Sequence, residues 1–222
     1  MVLPVVLFDV NGTLSDMEPL SRQFEEIGAP PQLAALWFTS VLRDGFALTA
    51  TGQNPAFKEV AEGSLRAVLA DGILDRDLDD AVAHIMSALQ GLAVHQDVVE
   101  GIRALASDGF GVAVLTNGAM ATAEALLDRA GVRDQVSAVL SVEDAPRWKP
   151  APESYAYALG ALQREAGDVV LVAVHPWDIE GAARAGLRTA WLNRDGSPYP
   201  SAMSAPDHEV SAITDLPGVL QV

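Results

Sequence analysis

The chain contains no cysteine, few basic residues and no long apolar run, and each absence excludes a class of protein. Without cysteine there is no disulfide and no thiolate metal site, which fits a cytoplasmic protein. No stretch of about twenty apolar residues offers a membrane-spanning helix. The first residues also lack a basic region ahead of an apolar core, so no secretory signal is expected.

Basic residues are scarce relative to acidic ones. The 222 residues contain 14 Lys and Arg against 30 Asp and Glu, a formal net charge of −16. This balance argues against nucleic acid and anionic membranes as partners. An anionic small-molecule substrate would need a local basic pocket, because the overall field repels it.

What is present is a large apolar fraction in two different patterns. Half of the residues are hydrophobic, which suffices for a sizeable core. After an apolar strand at 5–8, apolar residues recur at helical spacing up to residue 92. The helical stripes are Leu33, Leu36, Trp37, Val41 and Leu42; Val60, Leu65, Val68 and Leu69; and Leu78, Val82, Ile85, Met86 and Leu89.

From residue 94 onward, predicted helices alternate with short apolar strands. This alternation predicts an α/β fold with a doubly wound, Rossmann-like parallel sheet and an inserted helical-bundle cap. The predicted helices cover 97–107, 120–130, 152–164 and 178–185; the strands cover 111–115, 136–141, 168–174 and 188–192; residues 195–204 form a loop.

Polar residues follow the ends of four predicted strands. The carboxyl ends of parallel strands meet at one edge of the sheet, where ligands bind, so distant residues can share a pocket. An ionised Asp directly after a buried strand is costly unless it has a function, and we interpret Asp9 as a nucleophile. The residues are Asp9, Asn11 and Thr13 after the first strand, Thr116 and Asn117 after the second, Lys149 after the third, and His175, Trp177 and Asp178 after the fourth.

These four segments resemble the motifs of the haloacid dehalogenase superfamily. The matches are Asp9-Val10-Asn11-Gly12-Thr13-Leu14, Leu115-Thr116-Asn117-Gly118, Lys149-Pro150 and Asp178. Four motifs in order are far more specific than any one. The resemblance implies a Rossmann-like core at 1–15 and 93–222, and a four-helix cap at 16–92.

Asn11 favours one branch of that superfamily. Phosphatase members have Asp two places after the nucleophile, where it protonates a departing alkoxide, and Asn carries no titrating proton. A halide leaves without a proton. Lys149-Pro150-Ala151-Pro152-Glu153-Ser154-Tyr155 and Trp177-Asp178 also resemble the 2-haloacid dehalogenase subfamily, which implies a hydrolase acting on carbon–halide bonds without a metal or other cofactor.

The resemblance also implies a role for each matching residue. Asp9 forms an ester with the substrate, Lys149 keeps Asp9 ionised, Thr13 hydrogen-bonds near it, and Asp178 orients or activates the water that opens the ester. Thr116 would hold the substrate carboxylate, Asn117 and Trp177 would line the halide site, and Asn11 and Tyr155 belong to the substrate-binding set. A homodimer acting on a small haloalkanoic acid is implied as well.

Two positions depart from the subfamily pattern. The subfamily has Arg directly after the Trp of its second cap helix, whereas Trp37 is followed by Phe38. Arg43, five residues beyond Phe38, is expected to point away by about 140°. Phe38 therefore suggests a bulkier or less anionic substrate. His175 replaces a subfamily Asn and could donate to a substrate or activate water.

Several alternatives stay open from the sequence. Lys149 could be an exposed loop lysine, Thr116-Asn117-Gly118 a plain strand-to-helix turn, and His175 a structural residue. His84 and His95 show no ligand spacing and are interpreted as surface or helix-end residues. At the level of function, a magnesium-dependent small-molecule phosphatase and a catalytically weak binding protein remain as competing hypotheses.

Overall fold

The computed structural model describes residues 3–70, 72 and 74–221. Their parallel strands form one six-stranded sheet in the order β3-β2-β1-β4-β5-β6. Reversal of the strand order on either side of β1 is the feature of doubly wound sheets. The strands are β1 (Val5–Phe8), β2 (Gly111–Thr116), β3 (Ala138–Ser141), β4 (Val169–Ala173), β5 (Arg188–Leu192) and β6 (His208–Val210).

Helices cover both faces of the sheet, and a group of them precedes β2. None of the described helices is both long and apolar enough to cross a membrane. The helices are α1 (Leu20–Glu25), α2 (Leu33–Ala50), α3 (Phe57–Leu69), α4 (Leu78–Gln90), α5 (Val98–Ser107), α6 (Met120–Ala130), α7 (Pro152–Leu162), α8 (Pro176–Arg184) and α9 (Leu216–Leu220).

The central strand β1 is buried on both faces. Val5 pairs with Gly111 of β2 on one side and with Val169 of β4 on the other. Side chains alternate along a strand, so Val6 and Phe8 enter one apolar core while Val5 and Leu7 enter the other. This double burial explains the continuous apolar run and delivers Asp9 to the edge of a rigid platform.

The helices α1 to α4 occupy the stretch for which a helical bundle is predicted. The buried stripe of α2 passes through Ala34, Trp37, Val41 and Gly45. The prediction that Leu36 shares this face is wrong, since Leu36 is 53% exposed. Its position, one residue before Trp37, turns it about 100° away from the stripe.

The boundaries of several elements differ from those predicted. Strand β3 starts at Ala138 rather than 136, because a 3₁₀ turn occupies Arg133–Gln135. Helix α8 starts at Pro176 rather than at Asp178, since proline suits the first turn of a helix. Strand β6 and helix α9 were not predicted, because each is only a few residues long. Residues 195–204 contain no helix or strand, as predicted.

Candidate active site

The four predicted strand ends meet at one edge of the sheet. Asp9 directly follows β1, Thr116 ends β2, and Asp178 lies in the first turn of α8 after β4. Lys149 arrives from the loop between β3 and α7. Parallel pairing in register brings these ends together, so residues up to 169 positions apart become neighbours.

At the centre, one ammonium group bridges two carboxylates. Lys149 Nζ donates to Asp9 Oδ1 at 2.8 Å and to Asp178 Oδ2 at 2.5 Å. Lys149 and Asp178 are completely buried, and Asp9 is 3% exposed. The reading of Lys149 as an exposed loop lysine is therefore wrong. A charge this deep is retained only when it is paired, as all three are here.

Burial and charge act against each other on these groups. Burial raises the pKa of the Asp9 carboxyl, but the charge and hydrogen bond of Lys149, together with His175 and the Thr13 hydroxyl, outweigh it, and the pKa lies below its ordinary value. For Asp178, burial dominates: its pKa is raised, opposed by Lys149 and reinforced by the negative charge of Asp9. Burial lowers the pKa of Lys149, yet the two carboxylates raise it above its ordinary value. Asp9 is consequently held ionised beside a protonated lysine.

The loop after β1 orients the second oxygen of Asp9. Thr13 Oγ1 donates to Asp9 Oδ2 at 2.7 Å and accepts the Val174 backbone N–H at 3.1 Å. Gly12 adopts a backbone φ of +80°, a conformation that residues other than glycine rarely take. The loop thus turns back far enough for Thr13 to reach the carboxylate and tie it to the end of β4.

Tyr155 holds Asp178 from the other side. Its hydroxyl donates to Asp178 Oδ1 at 2.6 Å, and burial together with Asp178 raises the pKa of Tyr155 well above its ordinary value. Gly181 makes room for this contact, because a Cβ there would lie 2.5 Å from the Tyr155 hydroxyl oxygen. Both Asp178 oxygens are thus held by fixed donors. Gly181 was not among the predicted site residues.

Asn117 contacts the backbone around Lys149. Its Oδ1 accepts the Lys149 N–H at 2.9 Å, and its Nδ2 donates to the Lys149 carbonyl at 3.3 Å. The amide thus helps to place Lys149, and the halide-site role that the resemblance implies stays a prediction. Thr116 Oγ1 accepts the Gly118 N–H at 2.9 Å. The local geometry of Thr116-Asn117-Gly118 is therefore that of a strand-to-helix turn.

Aromatic rings from the core and from α2 stack beside Asp9. His175 lies with its ring centroid 5.0 Å from that of Trp177 and 6.4 Å from that of Phe38. Phe46, two turns beyond Phe38, meets Trp177 edge-on at 5.1 Å. Lys149 Nζ lies 5.8 Å from the Trp177 ring centroid. Phe38 therefore lies beside the ring of His175, next to the site.

The contacts of His175 define its tautomer. His175 Nε2 lies 2.8 Å from the Asn11 carbonyl oxygen and 3.7 Å from Asp9 Oδ2. Because a carbonyl oxygen only accepts, Nε2 must carry the proton. Nε2 is then a donor towards the loop and cannot act there as a base. Arg43, in contrast, is exposed and paired with Asp44, as its helical position predicts.

Two contacts near the site had no sequence signal. His95 Nε2 lies 3.1 Å from the Gly12 carbonyl oxygen, so the reading of His95 as a surface or helix-end residue misses its contact with the Asp9 loop. Trp148, directly before Lys149, is completely buried and donates to the Pro55 carbonyl at 2.8 Å. Tertiary packing alone creates both contacts.

Comparison with known proteins agrees with this geometry. A family model described as haloacid dehalogenase-like hydrolase matches residues 3–186. The chain belongs to this family. The superfamily predicted from the four motifs and the Rossmann-like fold class are thereby confirmed.

Among curated relatives, the (S)-2-haloacid dehalogenase 4A of Burkholderia cepacia is 29% identical over 216 residues, covering 96% of this chain and 93% of the relative. The haloacetate dehalogenase H-2 of Moraxella sp. strain B is 26% identical over 222 residues, with 99% of each covered. The solved L-2-haloacid dehalogenase RSc1362 superposes with a TM-score of 0.92 at 27% identity, covering 100% of both chains.

Proposed function

We propose that this protein is a metal-independent 2-haloacid dehalogenase that converts a 2-haloalkanoate to a 2-hydroxyalkanoate. The observation that carries the proposal is the buried bridge of Lys149 between Asp9 and Asp178. It supplies one ionised carboxylate as nucleophile and a second with a raised pKa. The likeness to relatives named as 2-haloacid dehalogenases supports it.

In the first step, an Asp9 oxygen attacks the carbon that bears the halogen. A carbon–oxygen bond forms, the carbon–halogen bond breaks, and the halide leaves with the bonding electron pair. Lys149 and Thr13 keep Asp9 ionised and oriented, and burial excludes competing water. Since a halide needs no proton to depart, Asn11 in place of an acid is no disadvantage.

In the second step, water attacks the carbonyl carbon of the Asp9 ester. Asp178 takes the proton of that water, and its raised pKa makes it a stronger base than an ordinary carboxylate. Tyr155 fixes the Asp178 carboxylate during this step. The bond between the Asp9 carbonyl carbon and the ester oxygen then breaks, Asp178 returns the proton to that departing oxygen, and the 2-hydroxyalkanoate leaves with the oxygen that came from Asp9.

The donor set argues against a resident divalent cation. Asp9 and Asp178 are the carboxylates that such an ion would use, and both are bonded to Lys149. Across the part of the chain that the structure describes, no three His, Cys, Asp or Glu side chains cluster as metal ligands. Displacing the Lys149 ammonium by a metal would leave that lysine charge buried and unpaired.

Further assignments belong to this proposal. Thr116 and Trp177 line the substrate and halide positions, and Asn117 is a positioning residue for Lys149. Residues 16–92 form the cap and 1–15 with 93–222 the core. A cytoplasmic homodimer stays a prediction, to be checked by light scattering and by cell fractionation.

Halide release tests the proposal. The purified protein should release halide from 2-chloropropionate and from fluoro-, chloro- and bromoacetate, equally with and without a metal chelator. The Asp9→Asn variant should be inactive, because an amide oxygen is a poor nucleophile. Asp134→Asn, at an exposed position, is the matched control and should keep full activity.

A single turnover in heavy-oxygen water tests the ester. The first product molecule should carry unlabelled oxygen from Asp9, as read by mass spectrometry. Heavy oxygen appearing in that first product would contradict an ester intermediate. Phosphate release that stops on chelation, without any halide release, would show the phosphatase hypothesis to be correct instead.

A further inference from the structure

A small cavity lies between the helical segment 20–90 and the core, next to the Asp9 loop. Its volume is about 100 Å³. Asn11, Thr116 and Gly118 line it from the core side, and Phe57, Lys58 and Met86 line it from α3 and α4. Asn11 follows Asp9 by two residues and Thr116 ends the neighbouring strand β2, so the cavity adjoins the loop that carries the nucleophile.

The charge around this cavity differs from that around four larger cavities, of about 390 to 620 Å³. Each of those four has at least one Asp or Glu in its walls. The cavity beside Asp9 has no acidic residue among its lining residues and has Lys58. In a chain of net charge −16, an anion should meet less repulsion here than in those four cavities.

Lys58 lies where helix energetics disfavour it. It is the second residue of α3, and the positive end of the helix dipole repels a cation there. Its one ion pair, with Glu62 at 3.7 Å, is long and largely exposed to solvent. Such a pair contributes little to stability, so the folded state gains little from a lysine at this position.

The charges of the catalytic cluster disfavour an anionic substrate. Two carboxylates and one ammonium leave the cluster of Asp9, Lys149 and Asp178 with a net negative charge when all three are ionised. A substrate carboxylate placed beside it is repelled unless a further positive charge approaches. Phe38 carries none, and Arg43 is not among the residues that line the cavity, whereas Lys58 is.

We propose that Lys58 binds the carboxylate of the substrate across this cavity and so determines the preference for short acidic substrates. The inference rests on the proposed dehalogenase function and adds a residue to it. Thr116 cooperates: its oxygen accepts the Gly118 N–H, which leaves its hydroxyl proton for the carboxylate. A cavity of about 100 Å³ is well below the usual size for drug-like ligands, so it favours small acids over longer ones.

The test compares Lys58→Met and Lys58→Glu with matched changes at Arg66. Arg66 lies on the same helix, is 47% exposed and is paired with Asp79, away from the cavity. For 2-chloropropionate, Lys58→Met should raise KM by about threefold to fivefold with kcat unchanged, as loss of uniform binding predicts. Lys58→Glu should raise KM further, by about tenfold. Arg66→Met and Arg66→Glu should leave both parameters at wild-type values.

A neutral substrate separates charge from structure. With 2-chloropropionamide, all four variants should have the KM of the wild type, because no carboxylate is present. Equal KM values for 2-chloropropionate in the wild type and in Lys58→Glu would overturn the proposal. An equal increase in KM for acid and amide would also overturn it, since that indicates a structural effect.

Calorimetric titration with propionate keeps the inference independent of turnover. If the wild type released no halide, the dehalogenase function would fail, but weaker propionate binding by Lys58→Glu would still support Lys58 as the carboxylate site. Unchanged propionate binding by Lys58→Glu would reject the role of Lys58, even for a protein that does release halide.

Discussion

At the scale of single residues, Lys149 determines the chemistry of the site. Its ammonium group touches both carboxylates, and it has no contact with bulk water. Asn117 anchors its backbone through two hydrogen bonds. The position of the Lys149 side chain is therefore set by the hydrogen bonds that hold its backbone. Removing one member of such a buried cluster costs several kcal/mol because the remaining charges lose their partner.

Tyr155→Phe is predicted to affect both stability and the pH profile. The hydroxyl donates to Asp178 and so stabilises its charged form. Without that donor, the pKa of Asp178 rises further, and the acid limb of the kcat profile should move to higher pH. The free energy of unfolding should fall by about 1–3 kcal/mol, measured by urea denaturation.

Tyr157→Phe is the matched control for that change. Tyr157 lies on the same helix α7 but is half-buried. The Tyr157→Phe variant should keep the pH profile of kcat that the wild type has. A Tyr155→Phe profile that coincides with that of the wild type would mean that Asp178 is not the base.

At the scale of elements, α2 packs against the loop that carries Lys149. The Trp148 ring lies against Gly45 of α2 and stacks on Phe57 of α3, with centroids 5.7 Å apart. Arg147 donates to the Thr49 carbonyl at 2.6 Å in the same region. Packing of the helical segment against the core is thereby linked to the placement of the neighbouring Lys149.

Gly45→Ala is predicted to disturb this junction. The new Cβ would lie 2.2 Å from Trp148 Cζ3, and the completely buried ring has no space to retreat into. Overpacking of this kind lowers the free energy of unfolding by about 1–3 kcal/mol. Activity should fall in parallel, because Lys149 follows Trp148 in the chain.

Gly63→Ala serves as the comparison on the adjoining helix α3. No atom lies within 4 Å of its added Cβ, so the change should increase the free energy of unfolding by about 0.5–1 kcal/mol. Urea denaturation of both variants measures the difference. Equal stabilities for the two alanine variants would show that Trp148 can be displaced freely.

At the scale of the whole molecule, the net charge of −16 opposes every anionic substrate. Raising the ionic strength from 0.01 to 0.15 M shortens the Debye length from about 30 to 8 Å. We therefore expect KM for 2-chloropropionate to fall by about twofold over this range, in a halide-free salt. The neutral amide should show no change, and a rise in KM for the acid would mean that nearby lysines outweigh the overall field.

The amount that could be predicted from the sequence differs between parts of the molecule. The parallel sheet, the strand ends and the residues Asp9, Thr13, Lys149 and Asp178 were all predicted, because each is marked by a local pattern. The face of α2 was partly wrong at Leu36, since the apolar residues of α2 are not confined to one face and leave little periodic contrast. Strand β6 was missed because three residues are too few to form a pattern.

The sequence by itself determined the order of elements and the supply of polar groups at the strand ends, because burial and periodicity act over a few neighbouring residues. Only the tertiary structure decided which atoms meet. The turn of Asn117 towards the Lys149 backbone, the approach of His175 to Asn11, and the cavity below Lys58 depend on how distant segments pack. Contacts of that kind arise from three-dimensional geometry, which no local spacing of residues encodes.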